Sequence, residues 1–358
     1  MVIAHDYLTQ RGGAERVVLA MVRSFPGASI VTSLHDPRAT FPEFGTRHVV
    51  TSPLQRSALL RRHHRLGLPV YAPVFSATHV DADLVVCSTS GWAHGVATRG
   101  RRLLYVHNTA RWLYQADDYF RQHPRAVAGA ARVLGAPLRR WDRENGRSAD
   151  LVLANSTTVQ ERLARHWGVA AEVLHPPHAA DVTGDREPVS DIEPGYLLTV
   201  SRLQAHKRVD VLVDAMVPMP DQRLVVVGQG PQADALRQIA PRNCVFLGHV
   251  SDAQLRWLYA NSAAVLSAAH EDFGLVPLEA MAFGRPVVVL RAGGFRETVL
   301  EGETGLFFDQ PQRRAVVAAV SELPNQTFDP ARIAAHAATF GEASFTRRLR
   351  DYAAGVLA

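Results

Sequence analysis

Residues 264–290 read AVLSAAHEDFGLVPLEAMAFGRPVVVL. Ala264–Ser267 reads as a short strand, Leu278–Phe283 as a helix and Pro286–Leu290 as a second strand. Strands separated by helix-like segments indicate a mostly parallel α/β sheet. The same alternation extends upstream. Tyr196–Val200, Leu224–Val227 and Val245–Leu247 read as strands, and Val209–Met216, Gln232–Ile239 and Asp252–Asn261 as helices. Leu306–Phe308 closes the series. An equivalent series occupies the beginning of the chain. Its strands are Val2–His5, Ala28–Ser33, His48–Thr51, Leu84–Ser88, Leu103–His107 and Leu151–Ser156. Leu84-Val85-Val86-Cys87-Ser88 is an apolar run ending in a small polar residue, the pattern of a strand buried on both faces. Residues 175–195 hold Pro176, Pro177, Gly184, Pro188, Pro194 and Gly195 with five acidic residues, the composition of a linker. Two successive α/β domains are expected, residues 1–180 and 190–335, followed by a segment 336–358 containing a helix near Phe345–Val356.

The composition fits this plan. A chain of 358 residues, 47% hydrophobic and 20% charged, can bury two cores and is neither disordered, collagen-like nor a disulfide scaffold. Cys87 and Cys244 sit in apolar runs in different halves, so free thiols and a cytoplasmic setting are expected. Val2-Ile3-Ala4-His5 lacks the pattern of a signal peptide, and no apolar run approaches the ~20 residues of a membrane span. Charge is unevenly spread. Residues 1–180 carry 22 basic and 13 acidic side chains, residues 181–358 carry 17 and 21. The first half is therefore expected to meet something anionic. Nucleic acid is not the expected partner, because the chain has no nucleic-acid-binding module and no basic cluster interleaved with aromatics. Two groups mix basic and apolar residues: Arg61-Arg62-His63-His64-Arg65 beside Leu59, Leu60, Leu66 and Leu68, and Arg125, Arg132, Arg139, Arg140 and Arg143 with Val127, Val133, Leu134, Leu138 and Trp141. Such mixtures suit either an ordinary solvated helix or peripheral contact with an anionic membrane.

Ligands of open α/β sheets bind at the carboxyl ends of the strands, so the residues there matter most. Ser201-Arg202 and Lys207-Arg208 follow Tyr196–Val200, and fixed cations there suit a phosphate or diphosphate, or simply a solvated loop. Lys207 is the only lysine of the chain. Gly228 and Gly230 end Leu224–Val227 in a Gly-x-Gly turn that permits close backbone approach. In Glu271-Asp272-Phe273-Gly274-Leu275-Val276-Pro277-Leu278-Glu279, Pro277 fits a first helical turn, and the free N–H groups with Gly274 form an anion site. Two carboxylates flanking such a cradle, Glu271 and Glu279, are costly unless they meet ligand hydroxyls; a capping glutamate and a surface acid are the plainer alternative. Arg291-Ala292-Gly293-Gly294 forms a further Gly-rich strand end. In the first half, Gly12-Gly13 opens a helix directly after the first strand, and His107 ends another.

Taken together these residues resemble glycosyltransferase family 4, the retaining sugar-nucleotide enzymes of GT-B fold. The resemblance is densest from Ser201-Arg202-Leu203 through Lys207-Arg208-Val209-Asp210, Val227-Gly228-Gln229-Gly230-Pro231 and Phe246-Leu247-Gly248 to the run Glu271–Pro286 and Gly302-Glu303-Thr304-Gly305-Leu306. Gly12-Gly13-Ala14-Glu15-Arg16, His107 and Ala154-Asn155-Ser156 extend it into the first half. His5-Asp6-Tyr7-Leu8 and Tyr105-Val106-His107-Asn108-Thr109 resemble the bacterial polysaccharide and glycolipid mannosyltransferase branch, with Asn108-Thr109 where Thr-Pro is common. The resemblance implies an α/β, GT-B architecture, two Rossmann-like doubly wound domains facing across a cleft. It gives the first domain the acceptor and the second the nucleotide-sugar, with the C-terminal helix packing back on the first.

The resemblance also implies roles. Arg202 and Lys207 hold the donor diphosphate, Glu271 and His107 face the donor sugar, and Glu279 contacts the ribose. Gly12, Gly13, Gly228, Gly230, Val250, Phe273, Gly274 and Leu275 line the donor. No metal and no cofactor are expected beyond the nucleotide-sugar donor, since Arg and Lys neutralise the phosphates. The expected activity is retaining transfer of a hexose, mannose from GDP-mannose ahead of a UDP-sugar, to a glycan or glycolipid acceptor. A soluble acceptor and a sugar-nucleotide epimerase on the same architecture stay open. A phosphorylase would bring a pyridoxal lysine, and the one lysine is assigned elsewhere.

Overall fold

The computed structural model describes residues 1–115 and 125–358; the side chains of Pro69 and of residues 125–134 lie outside the described set, and with them the expected basic face of Arg125, Val127, Arg132, Val133 and Leu134. The chain forms two compact units, Met1–Pro177 with Glu342–Ala358, and His178–Gly341.

The first unit is built on a seven-stranded parallel sheet. Its strands are β1 Val2–His5, β2 Ser29–Thr32, β3 Val49–Thr51, β4 Leu84–Thr89, β5 Arg101–Val106, β6 Leu151–Ala154 and β7 Glu172–Val173, in the order β3-β2-β1-β4-β5-β6-β7. In register, Ile3 pairs with Ile30 on one side and Val86 on the other. Apolar residues fill both faces, as a parallel sheet covered by helices requires. One face packs Val85, Cys87 and Leu104 under Tyr71, Trp92 and Trp167. The other packs Ile3, Val86 and Tyr105 against Val18, Met21 and Val22 of the helix Gly13–Ser24. Phe345, Leu349 and Ala353 join that second face from the C-terminal helix Glu342–Leu357. Arg23 ties the return, its Nη2 donating to Glu342 Oε2 at 2.7 Å. The two-residue strands Glu172–Val173, His79–Val80 and Ala97–Thr98 carry no periodic signal, and nothing in the sequence points to them.

The second unit carries a six-stranded parallel sheet: β8 Leu197–Val200, β9 Leu224–Val227, β10 Cys244–Gly248, β11 Ala264–Ser267, β12 Val287–Leu290 and β13 Gly305–Phe308, in the order β10-β9-β8-β11-β12-β13. Both sheets therefore share the doubly wound order in which the strand sequence reverses beside the first strand. The reversal falls between β1 and β4 in one unit and between β8 and β11 in the other, and open α/β sheets bind ligands at such points. The helix expected at Leu278–Phe283 begins three residues earlier and spans Leu275–Ala282. Gly274, at φ 90°, breaks the chain so that Leu275 and Val276 lead into the helix. Pro277 is then its third residue, still in the first turn, where a missing N–H costs no intrahelical bond.

Burial pushes the Cys87 thiol up to about 12 and that of Cys244 up to about 11, so both stay protonated near neutrality. Among the described residues, no helix is long and apolar enough to cross a membrane.

Candidate active site

In the second unit the sequence-selected groups converge at the reversal between β8 and β11. Lys207 ends a short 3₁₀ turn, Ala205–Lys207, beyond β8, and Glu271 lies in the loop after β11. The Lys207 ammonium donates to Glu271 Oε1, joining two groups 64 residues apart in sequence. Both side chains are partly shielded, 16% and 28% exposed. Arg208 follows in a left-handed conformation, φ 52°, unusual for a residue with a side chain. Its guanidinium turns to Asp210 at 3.3 Å, so Arg208 does not join the lysine as a second cation. Arg202 is exposed.

The glycines of this region keep loops close. A Cβ at Gly228 would lie 1.8 Å from the Ser201 carbonyl oxygen, and one at Gly230 2.3 Å from that of Leu203. Gly293 and Gly294 serve the Glu271 loop in the same way. A Cβ at Gly293 would meet the Glu271 carbonyl oxygen at 2.0 Å, and the Gly294 N–H donates to that oxygen at 3.0 Å. The turns that the sequence suggests for ligand approach thus fix the backbone carrying Arg202 and Glu271.

Beyond Glu271, the helix Leu275–Ala282 starts at Gly274, a residue with no side chain of its own to cap the first N–H groups. A helix start presents N–H donors and a positive dipole end to an anion. Glu279 is the fifth residue of this helix rather than part of its start, so a capping role is excluded. It accepts a hydrogen bond from the Tyr259 hydroxyl at 3.0 Å, a partner the sequence gives no sign of. The Phe273 side chain is buried among core residues, its ring 6.0 Å from that of Phe340, so only its backbone is placed for a ligand. Val250 packs partly buried against the same core.

In the first unit, Gly12 caps the helix Gly13–Ser24 without a side-chain hydrogen bond. Glu15 lies buried beneath it, accepting from Gln10 Nε2 at 3.0 Å, and burial raises its carboxyl above the usual range. His107 stands just past β5. Its backbone N–H donates to the Thr89 carbonyl at 2.9 Å, and its carbonyl accepts from Asn155 Nδ2 at 2.9 Å. Burial, with His5 nearby, holds its imidazole down to about 3, so it is neutral at working pH. Its Nε2 lies 2.7 Å from Ser88 Oγ. Asp6, at the end of β1, accepts from the backbone N–H groups of Ser90 at 2.7 Å, Trp92 at 3.1 Å and Ala93 at 2.7 Å. His5, Asp6, Glu15 and Ser88 are thus support residues that a residue-by-residue reading of the sequence does not single out. The Asp81-Ala82-Asp83 spacing, of a kind that can bind metal ions, precedes β4 and so lies at the opposite strand end from Ser88.

Comparison with known proteins follows the same lines. Residues 185–339 match the family model "Glycosyl transferases group 1". A GDP-mannose-dependent alpha-(1-6)-phosphatidylinositol monomannoside mannosyltransferase of Mycobacterium tuberculosis is 31% identical over 271 residues, covering 64% of this chain and 70% of that protein. A sulfoquinovosyl transferase of Arabidopsis thaliana is 30% identical over 165 residues, 45% of this chain and 32% of that longer protein, so the chain spans only about a third of that relative. Among solved structures, Anabaena HepE in complex with UDP superposes with a TM-score of 0.72 at 20% identity, covering 99% of both chains. Two doubly wound units, the motif residues gathered at the reversal of the second sheet, and a mycobacterial relative matched over most of its length lead to one assignment: the chain belongs to the group 1 glycosyl transferases and has the GT-B fold.

Proposed function

We propose that the enzyme moves mannose from GDP-mannose, with retention of anomeric configuration, onto a lipid-linked or saccharide acceptor. The observation that carries the proposal is the Lys207–Glu271 pair at the β8/β11 reversal, in the loop that leads through Gly274 into the helix Leu275–Ala282. Lys207 and Arg202 neutralise the donor diphosphate as its bond to the sugar breaks, and helix N–H groups face the same phosphates. Glu271 meets the sugar hydroxyls, Glu279 the ribose, and His107 the sugar from the first unit. The departing phosphate takes the acceptor proton, so no carboxylate nucleophile is needed. Two cations in place of a metal make the reaction metal-independent in this reading.

The mannose assignment draws on the mycobacterial relative, named as GDP-mannose-dependent. A thermal-shift screen of GDP- and UDP-sugars in EDTA checks it, since a ligand that binds only the folded state raises the midpoint. Stabilisation by GDP-mannose is expected; stabilisation by UDP-sugars alone would reassign the donor. Glu271→Ala is expected to lower kcat by about 10- to 100-fold with nucleotide Kd changed less than about threefold. Loss of nucleotide affinity with kcat intact would contradict the sugar-facing role.

The lipid-linked acceptor is supported by the segment 57–70. Leu59 and Leu66 are 60% and 58% exposed, set among exposed Arg62, His63 and Arg65. His64 anchors this segment to the loop after β1, stacking on Tyr7 at 4.2 Å with its Nδ1 3.0 Å from Thr9 Oγ1. Apolar side chains among cations suit the headgroup layer of an anionic membrane. The protein should sediment with phosphatidylglycerol vesicles at low salt, and Leu59→Glu with Leu66→Glu should abolish this. Failure of the wild type to sediment would favour a soluble acceptor.

A further inference from the structure

We propose that His5 and Ser88 are positioning residues that fix His107 in the tautomer carrying its proton on Nδ1, leaving Nε2 bare. The inference rests on the reading that His107 faces the donor sugar. It follows from hydrogen-bond bookkeeping along the carboxyl ends of β1, β4 and β5.

His5 Nδ1 lies 3.1 Å from the Ser88 carbonyl oxygen and 3.1 Å from Ser88 Oγ. A carbonyl oxygen only accepts, so His5 Nδ1 must carry a hydrogen. That N–H is shared between the two Ser88 oxygens, and Ser88 Oγ is therefore an acceptor towards His5. Ser88 is fully buried, and its hydroxyl has one hydrogen to place. The remaining neighbour is His107 Nε2 at 2.7 Å. If His107 carried its proton on Nε2, Ser88 Oγ would accept twice and its own hydrogen would be buried without an acceptor, at a cost on the scale of a lost hydrogen bond. The arrangement that satisfies the Ser88 hydroxyl runs one way, His5 Nδ1–H to Ser88 and Ser88 O–H to His107 Nε2, with His5 Nε2 left as a buried acceptor without a hydrogen-bond partner.

The proton of the neutral His107 ring then sits on Nδ1, which remains the ring's one hydrogen-bond donor. Ser88, oriented by His5, thus decides whether His107 offers a ligand a donor or an acceptor, as the hydrogen bond on the other ring nitrogen commonly does for functional histidines. The two rings stand edge to face, 83° apart with centroids 6.4 Å apart, so Ser88 is the link between them. His5 is itself buried, 2% exposed, which keeps water from replacing it in this chain.

Long-range ¹H–¹⁵N spectra of histidine-labelled full-length protein at neutral pH read the tautomer directly. The expected spectrum shows His107 with a protonated Nδ1 and a bare Nε2. In Ser88→Ala the Nε2–H form should become populated and kcat should fall about tenfold, the effect of one oriented hydrogen bond, with nucleotide Kd unchanged. His5→Asn, whose side-chain N–H can stand in for Nδ1–H, should keep the wild-type tautomer, whereas His5→Leu should not. An Nε2–H His107 in the wild-type protein, or a tautomer indifferent to both Ser88→Ala and His5→Leu, would overturn the proposal. His107→Ala separates the two levels: near-wild-type turnover there would remove the sugar-facing reading, while the tautomer result would still decide the positioning claim.

Discussion

Lys207→Ala should lower kcat by about 10²–10³-fold, the scale of removing one preorganised group that stabilises charge developing in the transition state. Two effects add. The variant loses the only lysine ammonium of the chain, held at the reversal of the second sheet. It also leaves the Glu271 carboxylate without its cation, next to the expected diphosphate. Arg202→Ala removes an exposed cation with no such residue left behind, so its loss should fall at the lower end of the same range. Lys207→Arg should recover only part of the rate, because a planar guanidinium does not reproduce a compact ammonium. Steady-state kinetics at saturating donor decide the matter, and near-wild-type turnover in both alanine variants would remove the diphosphate assignment.

Asp6→Ala should destabilise the first unit by about 3–5 kcal/mol, the range for leaving partners of a buried charge uncompensated. Asp6 is 3% exposed and accepts from three backbone N–H groups, with the Thr89 hydroxyl at 3.3 Å as a fourth donor. Without the carboxylate, the N–H groups of Ser90 and Ala93 lose their acceptor, while that of Trp92 keeps only the Thr89 hydroxyl at 3.1 Å. Asp6→Asn should lose less, since its amide oxygen can still accept. Urea unfolding followed by tryptophan fluorescence suits the test, because Trp92, Trp112, Trp141 and Trp167 all lie in this unit and only Trp257 in the other. A midpoint shift corresponding to less than about 1 kcal/mol would show that the turn does not depend on Asp6.

Much of this architecture is legible in the sequence because buried parallel strands are short unbroken apolar runs. Residues 84–87 and Val287–Leu290 are examples, each wholly buried. Element ends are less legible. The helix after Glu271 starts at Leu275 because Gly274 adopts a positive φ, and nothing in the letters distinguishes that glycine from one inside a longer loop. The position of Glu279 changes with it, from a helix start to a second turn.

Site residues divide in the same way. Lys207 and Glu271 stand out by rarity and by motif, and they meet in space. Tyr259, which holds Glu279, is a tertiary partner from another helix. His5, Asp6 and Ser88 act through hydrogen bonds spanning 83 residues or more, or 19 between Ser88 and His107, and no local period encodes such contacts. Gly228 and Gly230 read as ligand-approach residues, and the fold adds a second reason for glycine there: a Cβ would meet the Ser201 and Leu203 carbonyl oxygens. The uneven charge also takes on a local meaning. The second half is net acidic, so its proposed anion site rests on Arg202, Lys207 and a helix start rather than on bulk charge.

Isothermal titration of GDP-mannose, in EDTA, into the wild-type protein and Lys207→Ala tests the diphosphate assignment most directly. Metal-free binding to the wild type is expected, with at least about tenfold weaker binding to the variant, the loss of one charge-assisted contact of about 1.5–3 kcal/mol. Equal affinity in the two proteins would contradict it.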